Sequence, residues 1–219
     1  MHKLTVSASS LCTLVNSNWY QLFTQFLKSL NPILKQAGFS QSHSNFRHRA
    51  DDNWAVINFQ RSSSSTTVTP RFTINLGIYS AVLAKIFPSF RMRTDASLKP
   101  LVIDSHWRLR VGDLLPQNKD VWWQFTSDPM ESCREEVDEY LTTLVIPTLQ
   151  QYSSDAALRE LWATGSLLGV DSEIVRLEYL SLLAKVYGTE DEVVSHLESL
   201  QRIGGKTTMH IMKRAPERL

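Results

Sequence analysis

The chain has 219 residues, and its 23 Lys/Arg nearly balance its 22 Asp/Glu, for a formal charge of +1. With 42 % hydrophobic and 21 % charged residues it has the composition of an ordinary globular protein, which excludes disorder, a collagen-like repeat or a coiled coil for the whole. The total hides an asymmetry: residues 1–110 carry 13 Lys/Arg and 4 Asp/Glu, a net of +9, and residues 111–219 carry 10 and 18, a net of −8. Such a split marks either an interaction surface or two halves that attract each other.

Taken in chain order, residues 1–16 are rich in Ser and Thr and read as a loose arm. From a Ser17 cap, Trp19, Leu22, Phe23, Phe26, Leu27, Leu30 and Leu34 recur at helical spacing, with Pro32 expected to kink or restart the helix and Gly38 to end it. The pattern then changes to period two. Residues 45–50 and 53–61 flank Asp51-Asp52-Asn53 as a hairpin, the Ser/Thr run 62–67 is a loop, and residues 71–79 alternate as a half-buried strand. Residues 80–87 suit a short helix and 88–104, with Pro88 and Pro100, a loop. Residues 106–112 and 120–126 read as two more strands, with Trp107, Leu109 and Val111 inward on the first.

After Asp128-Pro129 the period is helical again. Val137, Leu141, Leu144 and Val145 form a stripe that Pro147 should bend or end. A short helix over 157–169 closes on glycine, and Asp171 is expected to cap a helix bearing Ile174, Leu177, Leu180, Leu183, Ala184 and Tyr187 inward until Gly188. Thr189 and Glu192 fit a capping box opening the last helix. The fold class is therefore α+β: an antiparallel sheet of four to five strands, flanked by an N-terminal helix and a helix after the sheet, with a C-terminal helical extension. The expected division is residues 1–152 for the α+β domain and 153–219 for the extension, packed on or beside it.

Cys12 and Cys133 are far apart and suit reduced thiols. With no apolar leader segment and no membrane-length apolar run, the expected location is the cytoplasm.

Gly38-Phe39, Phe46, Ile57-Asn58-Phe59-Gln60 and Phe72-Thr73-Ile74-Asn75-Leu76-Gly77-Ile78, followed by Arg110-x-Gly112-x-Leu114 and Asp120-x-Trp122-Trp123, resemble the signature of the bacterial domain-of-unknown-function family numbered 4304 over about residues 18–150. The resemblance implies a small bacterial cytosolic α+β domain and supplies no activity.

No catalytic or cofactor signature is present: Gly204-Gly205-Lys206-Thr207 lacks the upstream glycine of a phosphate loop, and no Cys/His cluster occurs. His43, His48 and His106 could meet on neighbouring strands as zinc ligands, but each has a structural explanation, and neither metal nor cofactor is expected. The informative constellation is on the strands. Arg47 and Arg49 share one face, as do Arg108 and Arg110, Asn58 and Gln60, and Thr73 and Asn75. In register they would form a face of guanidiniums and amides able to take carboxylates or phosphates. Trp122 and Trp123 point to opposite faces of one strand, and Glu131, Glu135 and Glu139 line one helix face. These twelve positions, Arg47, Arg49, Asn58, Gln60, Asn75, Arg108, Arg110, Trp122, Trp123, Glu131, Glu135 and Glu139, are the candidate binding residues.

The expectation is a non-enzymatic bacterial interaction protein, in its sharpest form an immunity protein that binds and neutralises a cognate toxin or effector domain. The alternative is a nucleic-acid or nucleotide-binding accessory protein, for instance in phage defence. An enzyme with a divergent site is the least favoured reading.

Overall fold

The computed structural model describes residues 8–62, 71–89, 91, 92, 95, 97–125 and 130–203, with side chains from residue 20 onward except at 130–132. The first helix, α1 (Ala8–Gln36), starts nine residues before Ser17, so the N-terminal segment is not a loose arm from residue 8 onward. Leu11, Val15, Trp19 and Leu22 continue the helical period, and the Ser/Thr residues between them weaken helix propensity without interrupting that stripe. The helix also runs through Pro32 without restarting. The lost backbone donor is a local cost, offset by the complete burial of Leu30 and Leu34 on either side. The Gly38 end is as expected: at φ +86° Gly38 donates its N–H to the Lys35 carbonyl, and Phe39 donates to that of Leu34. Leu34 and Phe39, both buried, complete this left-handed cap.

Six strands form one antiparallel sheet: β1 (Ser40–Ser42), β2 (Asn45–Ala50), β3 (Asn53–Arg61), β4 (Arg71–Tyr79), β5 (Trp107–Arg110) and β6 (Trp123–Gln124). They follow the order β1-β2-β3-β4-β5, with β6 also paired to β4 beyond the end of β5. β1 escapes sequence reading because three polar residues show no alternation. The two late strands are shorter than their sequence pattern: β5 ends at Arg110, where a 3₁₀ turn (Val111–Leu114) takes over, and only two residues of 120–126 pair.

Phe46, Ile57, Phe59, Phe72, Ile74, Leu76 and Ile78 make the core face. Phe26 of α1 packs against Phe59, Phe72 and Phe125 with ring centroids 6.5, 5.1 and 5.2 Å apart. The helices that follow are α2 (Ala81–Ile86), α3 (Met130–Tyr140), a π-helical turn (Leu141–Val145), α4 (Ile146–Gln151), α5 (Asp155–Ala163), α6 (Glu173–Tyr187) and α7 (Glu190–Arg202). Pro147 does not end the helical run, which continues to Gln151; the wider π turn before it takes up the residue that cannot donate. Val137 and Leu141 are buried, and Tyr140 stands edge-on to Trp123, which stacks on Phe72, so α3 lies on the core face beside α1.

Farther along, Trp162 and Tyr179 join α5 and α6 to His106 at the start of β5, and Trp107 packs on Tyr152. Ser172, not Asp171, caps α6, accepting from the Val175 N–H. Ile174 and Tyr187, expected inward, are exposed, whereas Gly188 and the Thr189–Glu192 capping box stand as read. Among the described residues, no helix is long and apolar enough to cross a membrane.

Candidate functional site

The face of the sheet opposite α1 carries the polar strand residues. Its register aligns Asn45, Asn58, Asn75 and Arg110 in one row across four strands, and Arg47, Val56, Gly77 and Arg108 in the next. The expected guanidinium–amide face therefore forms, because period two and antiparallel register put the same parity of residue on one side.

The amides are wired together. Asn58 Nδ2 donates to Asn45 Oδ1 at 2.9 Å, and Asn75 Nδ2 donates to Gln60 Oε1 at 2.8 Å and to Asn58 Oδ1 at 3.3 Å. A wall rises from this floor where Leu101, Val102 and Ile103 cross the sheet. With Arg108 they close a cleft of about 310 Å³ over Asn45, Asn58, Gln60 and Asn75. Ile103 stands at its lip, 66 % exposed.

The wall lies close because residue 77 is glycine: a Cβ there would sit 2.8 Å from Ser105 Cβ and 3.3 Å from Val102 Cα. Gly77→Ala is expected to lift the 101–105 segment and lower stability by about 1–3 kcal/mol, read as a lower denaturant midpoint.

The wall is pinned from behind by Asp104, whose side chain is fully buried. Ser89 Oγ donates to Oδ1 at 2.5 Å, and the Leu101 N–H and Arg91 Nε donate to Oδ2 at 2.8 and 3.0 Å; Arg91 Nη2 reaches the same oxygen. Burial alone would raise this carboxyl, but the bonds from Arg91, Ser89 and Leu101 outweigh it and hold it below its ordinary value. Arg47 serves the same segment. It is 7 % exposed and donates from Nε to the Pro100 carbonyl at 2.6 Å. Burial first, then the Arg91 charge, lower its pKa, with Asp104 opposing. Sequence reading missed Asp104 as a component of this site. Its only trace in the sequence is its place as the sole acid between Asp95 and Asp113.

The other arginines are paired singly. Arg108 meets Asp171 at 2.7 Å, and Arg110 meets Asp120 at 2.7 Å while lying over the Trp122 ring at 5.5 Å; Trp122 Nε1 donates to the same Asp120 at 2.8 Å. Arg49 donates to the Asp51 carbonyl and lies over Trp54, away from the cleft. Trp123 is buried in the core on the opposite face.

Glu135 and Glu139 are exposed on α3, on the α1 side of the sheet, so the acidic helix does not meet the arginine face. The Glu131 side chain lies outside the described residues. The structure thus brings Asn58, Gln60, Asn75 and Arg108 into the cleft with Asn45, which the sequence reading did not select. Arg110 and Trp122 stand beside them, Arg47 is below the wall, and the remaining four described candidates are elsewhere.

The histidines do not form a site. His48 Nδ1 faces the Gly38 carbonyl at 3.0 Å, and His106 is buried between two backbone groups. Among the described residues, no three His, Cys, Asp or Glu are grouped to hold a metal ion.

No curated protein and no solved structure matches the chain. A family model does match, over residues 30–151, and this stretch contains the whole sheet, the amide row, the Leu101–Ile103 wall and the Arg110–Trp122 pair. With more than half its length so matched, and with the glycines and amides that build the cleft inside the matched region, the chain belongs to the family described as Domain of unknown function (DUF4304).

Proposed function

We propose that this protein is a non-enzymatic binding protein that seats a protein partner in the amide cleft, and that the partner is a toxin or effector domain which it blocks. The observation that carries this reading is the make-up of the cleft: a row of carboxamides beside an exposed apolar lip. Carboxamides neither take up nor release protons near neutral pH, so the floor suits hydrogen bonding to peptide groups rather than acid–base chemistry. Ile103 supplies the apolar anchor that protein interfaces place beside such polar contacts. A protein is favoured over a nucleic acid because Asp171 and Asp120 sit on Arg108 and Arg110 and reduce the positive potential that a phosphate backbone requires.

The test is co-expression with the genes flanking its own, each scored for toxicity. One neighbour should be toxic alone, be neutralised by this protein and co-purify with it. Ile103→Lys and Gln60→Glu should each weaken that complex about tenfold or more while leaving the melting temperature in place. Retention of DNA or RNA at low salt, with no toxic neighbour, would overturn the proposal in favour of nucleic-acid binding.

A further inference from the structure

A second cavity lies on the other face of the sheet, between α1 and the β1–β2 hairpin. It has a volume of about 540 Å³ and is lined by Tyr20, Phe23, Thr24, Leu27, Lys28, Gln41, His43, Ser44 and Arg61. Its size is that of a small-molecule site. Its lining divides into two parts. Phe23 and Leu27 are buried and form an apolar base, with the Tyr20 ring beside them. Lys28, Arg61 and His43 bring basic groups to the same space, with Ser44 and Gln41 as neutral polar neighbours.

Among the described residues, no carboxylate lines the cavity, and residues 1–50 and 53–94 contain neither Asp nor Glu. Arg61 lies over the Tyr20 ring, its guanidinium carbon 5.5 Å from the centroid. That contact orients the fork without neutralising its charge. The contrast with the amide cleft is chemical: there Arg108 has Asp171, whereas here Lys28 and Arg61 line one cavity with no acid among its described lining residues.

The geometry points to a binding site for a small phosphate monoester carrying a flat apolar group, its phosphate held by Lys28 and Arg61 and its flat group resting on Tyr20, Phe23 and Leu27. Two cations match the charge of a phosphate monoester better than that of a carboxylate. Arg offers a forked donor pair and Lys a point charge to the same oxygens. This site is independent of the proposed partner cleft, since Arg61 and Gln60 are adjacent on β3 and point to opposite faces.

The experiment is a calorimetric titration of the full chain with phenyl phosphate, inorganic phosphate, benzoate and phenol. Phenyl phosphate should bind at one site per chain, inorganic phosphate and benzoate more weakly, and phenol not measurably. Lys28→Glu and Arg61→Glu should each lower phenyl phosphate affinity about tenfold or more, as loss of a charge-assisted contact implies. Both side chains are exposed, and Lys28→Gln and Arg61→Gln serve if a reversed charge disturbs folding. Ile103→Lys, on the opposite face, should leave the titration unchanged. No saturable heat with phenyl phosphate, or unaltered binding by the Lys28 and Arg61 variants, would overturn the assignment. So would benzoate or inorganic phosphate binding as tightly as phenyl phosphate.

Discussion

Replacing Asp104 by alanine should destabilise the protein by about 3 kcal/mol or more, the scale on which loss of one partner from a buried ion pair is felt. The carboxylate is the hub of the loop that crosses the sheet. Without it Ser89 Oγ and the Leu101 N–H lose this acceptor, and the part-buried Arg91 loses its carboxylate partner while keeping its bond to the Lys99 carbonyl. Chemical denaturation of the variant measures the cost. The variant should also loosen the cleft, because Leu101, Val102 and Ile103 are held down through this residue. Amide exchange across residues 99–105 should rise well above that of β3. A stability within about 0.5 kcal/mol of the parent, the range of ordinary surface substitutions, would show that Asp104 does not anchor the wall.

Stability should also fall by about 3 kcal/mol as the pH drops from 6.5 to about 4, through His106. Its pKa is lowered from 6.5 to about 4, chiefly by burial, with the Phe87 carbonyl opposing, Arg108 adding to the lowering and Asp104 opposing. The ring is neutral in the fold: Nδ1 accepts from the Ser80 N–H at 3.2 Å and Nε2 faces the Phe87 carbonyl at 3.2 Å. Below pH 6.5 the unfolded chain takes up a proton that the folded chain does not bind until about pH 4. Folding therefore loses free energy across that window, and the stability is fully present above it. The window is lower still for Asp104, whose carboxyl is held below its ordinary value and whose contribution disappears only in more acid solution. His196 is also lowered, chiefly by burial, and adds in the same direction as His106. Denaturant midpoints of the parent and of His106→Asn, measured at pH 7 and pH 4.5, separate the two. The variant should lose most of the slope, and an unchanged slope would exclude His106 as its source.

Local pattern carried much of the architecture. Period two over 71–79 specified which β4 residues face the core, and the 53–61 pattern did the same for β3, so the pairing of Asn58 with Gln60 and of Arg108 with Arg110 on one strand face was legible, while the register that gathers them with Asn75 came from the fold. Gly38, Gly188 and the Thr189–Glu192 box were legible for the same reason: caps are formed by residues within one turn of each other. Where the reading failed, neighbours distant in sequence had overridden the local signal. Pro32 stays inside α1 because the helix is buried against the sheet, and Asp171 leaves its capping role to Ser172 and pairs with Arg108 instead.

The sequence by itself determined the α+β class, the polarity of the β2 to β5 faces, the family signature and the +9 and −8 halves. It could not determine which acid meets which arginine. Ion pairing depends on distances of a few ångströms between residues such as Arg108 and Asp171, 63 positions apart, and no periodicity encodes that. Tertiary structure decided the matter against a simple docking of the halves. The acidic α3 packs through Val137 and Leu141 on the core face, leaving Glu135 and Glu139 in solvent, while the opposite face draws its counter-ions from Asp120 and Asp171. It also decided that Arg47 is a buried clamp on Pro100 rather than a surface charge, and that Leu101–Ile103 rather than a helix walls the amide row, because the glycine at 77 lets backbone approach the sheet there.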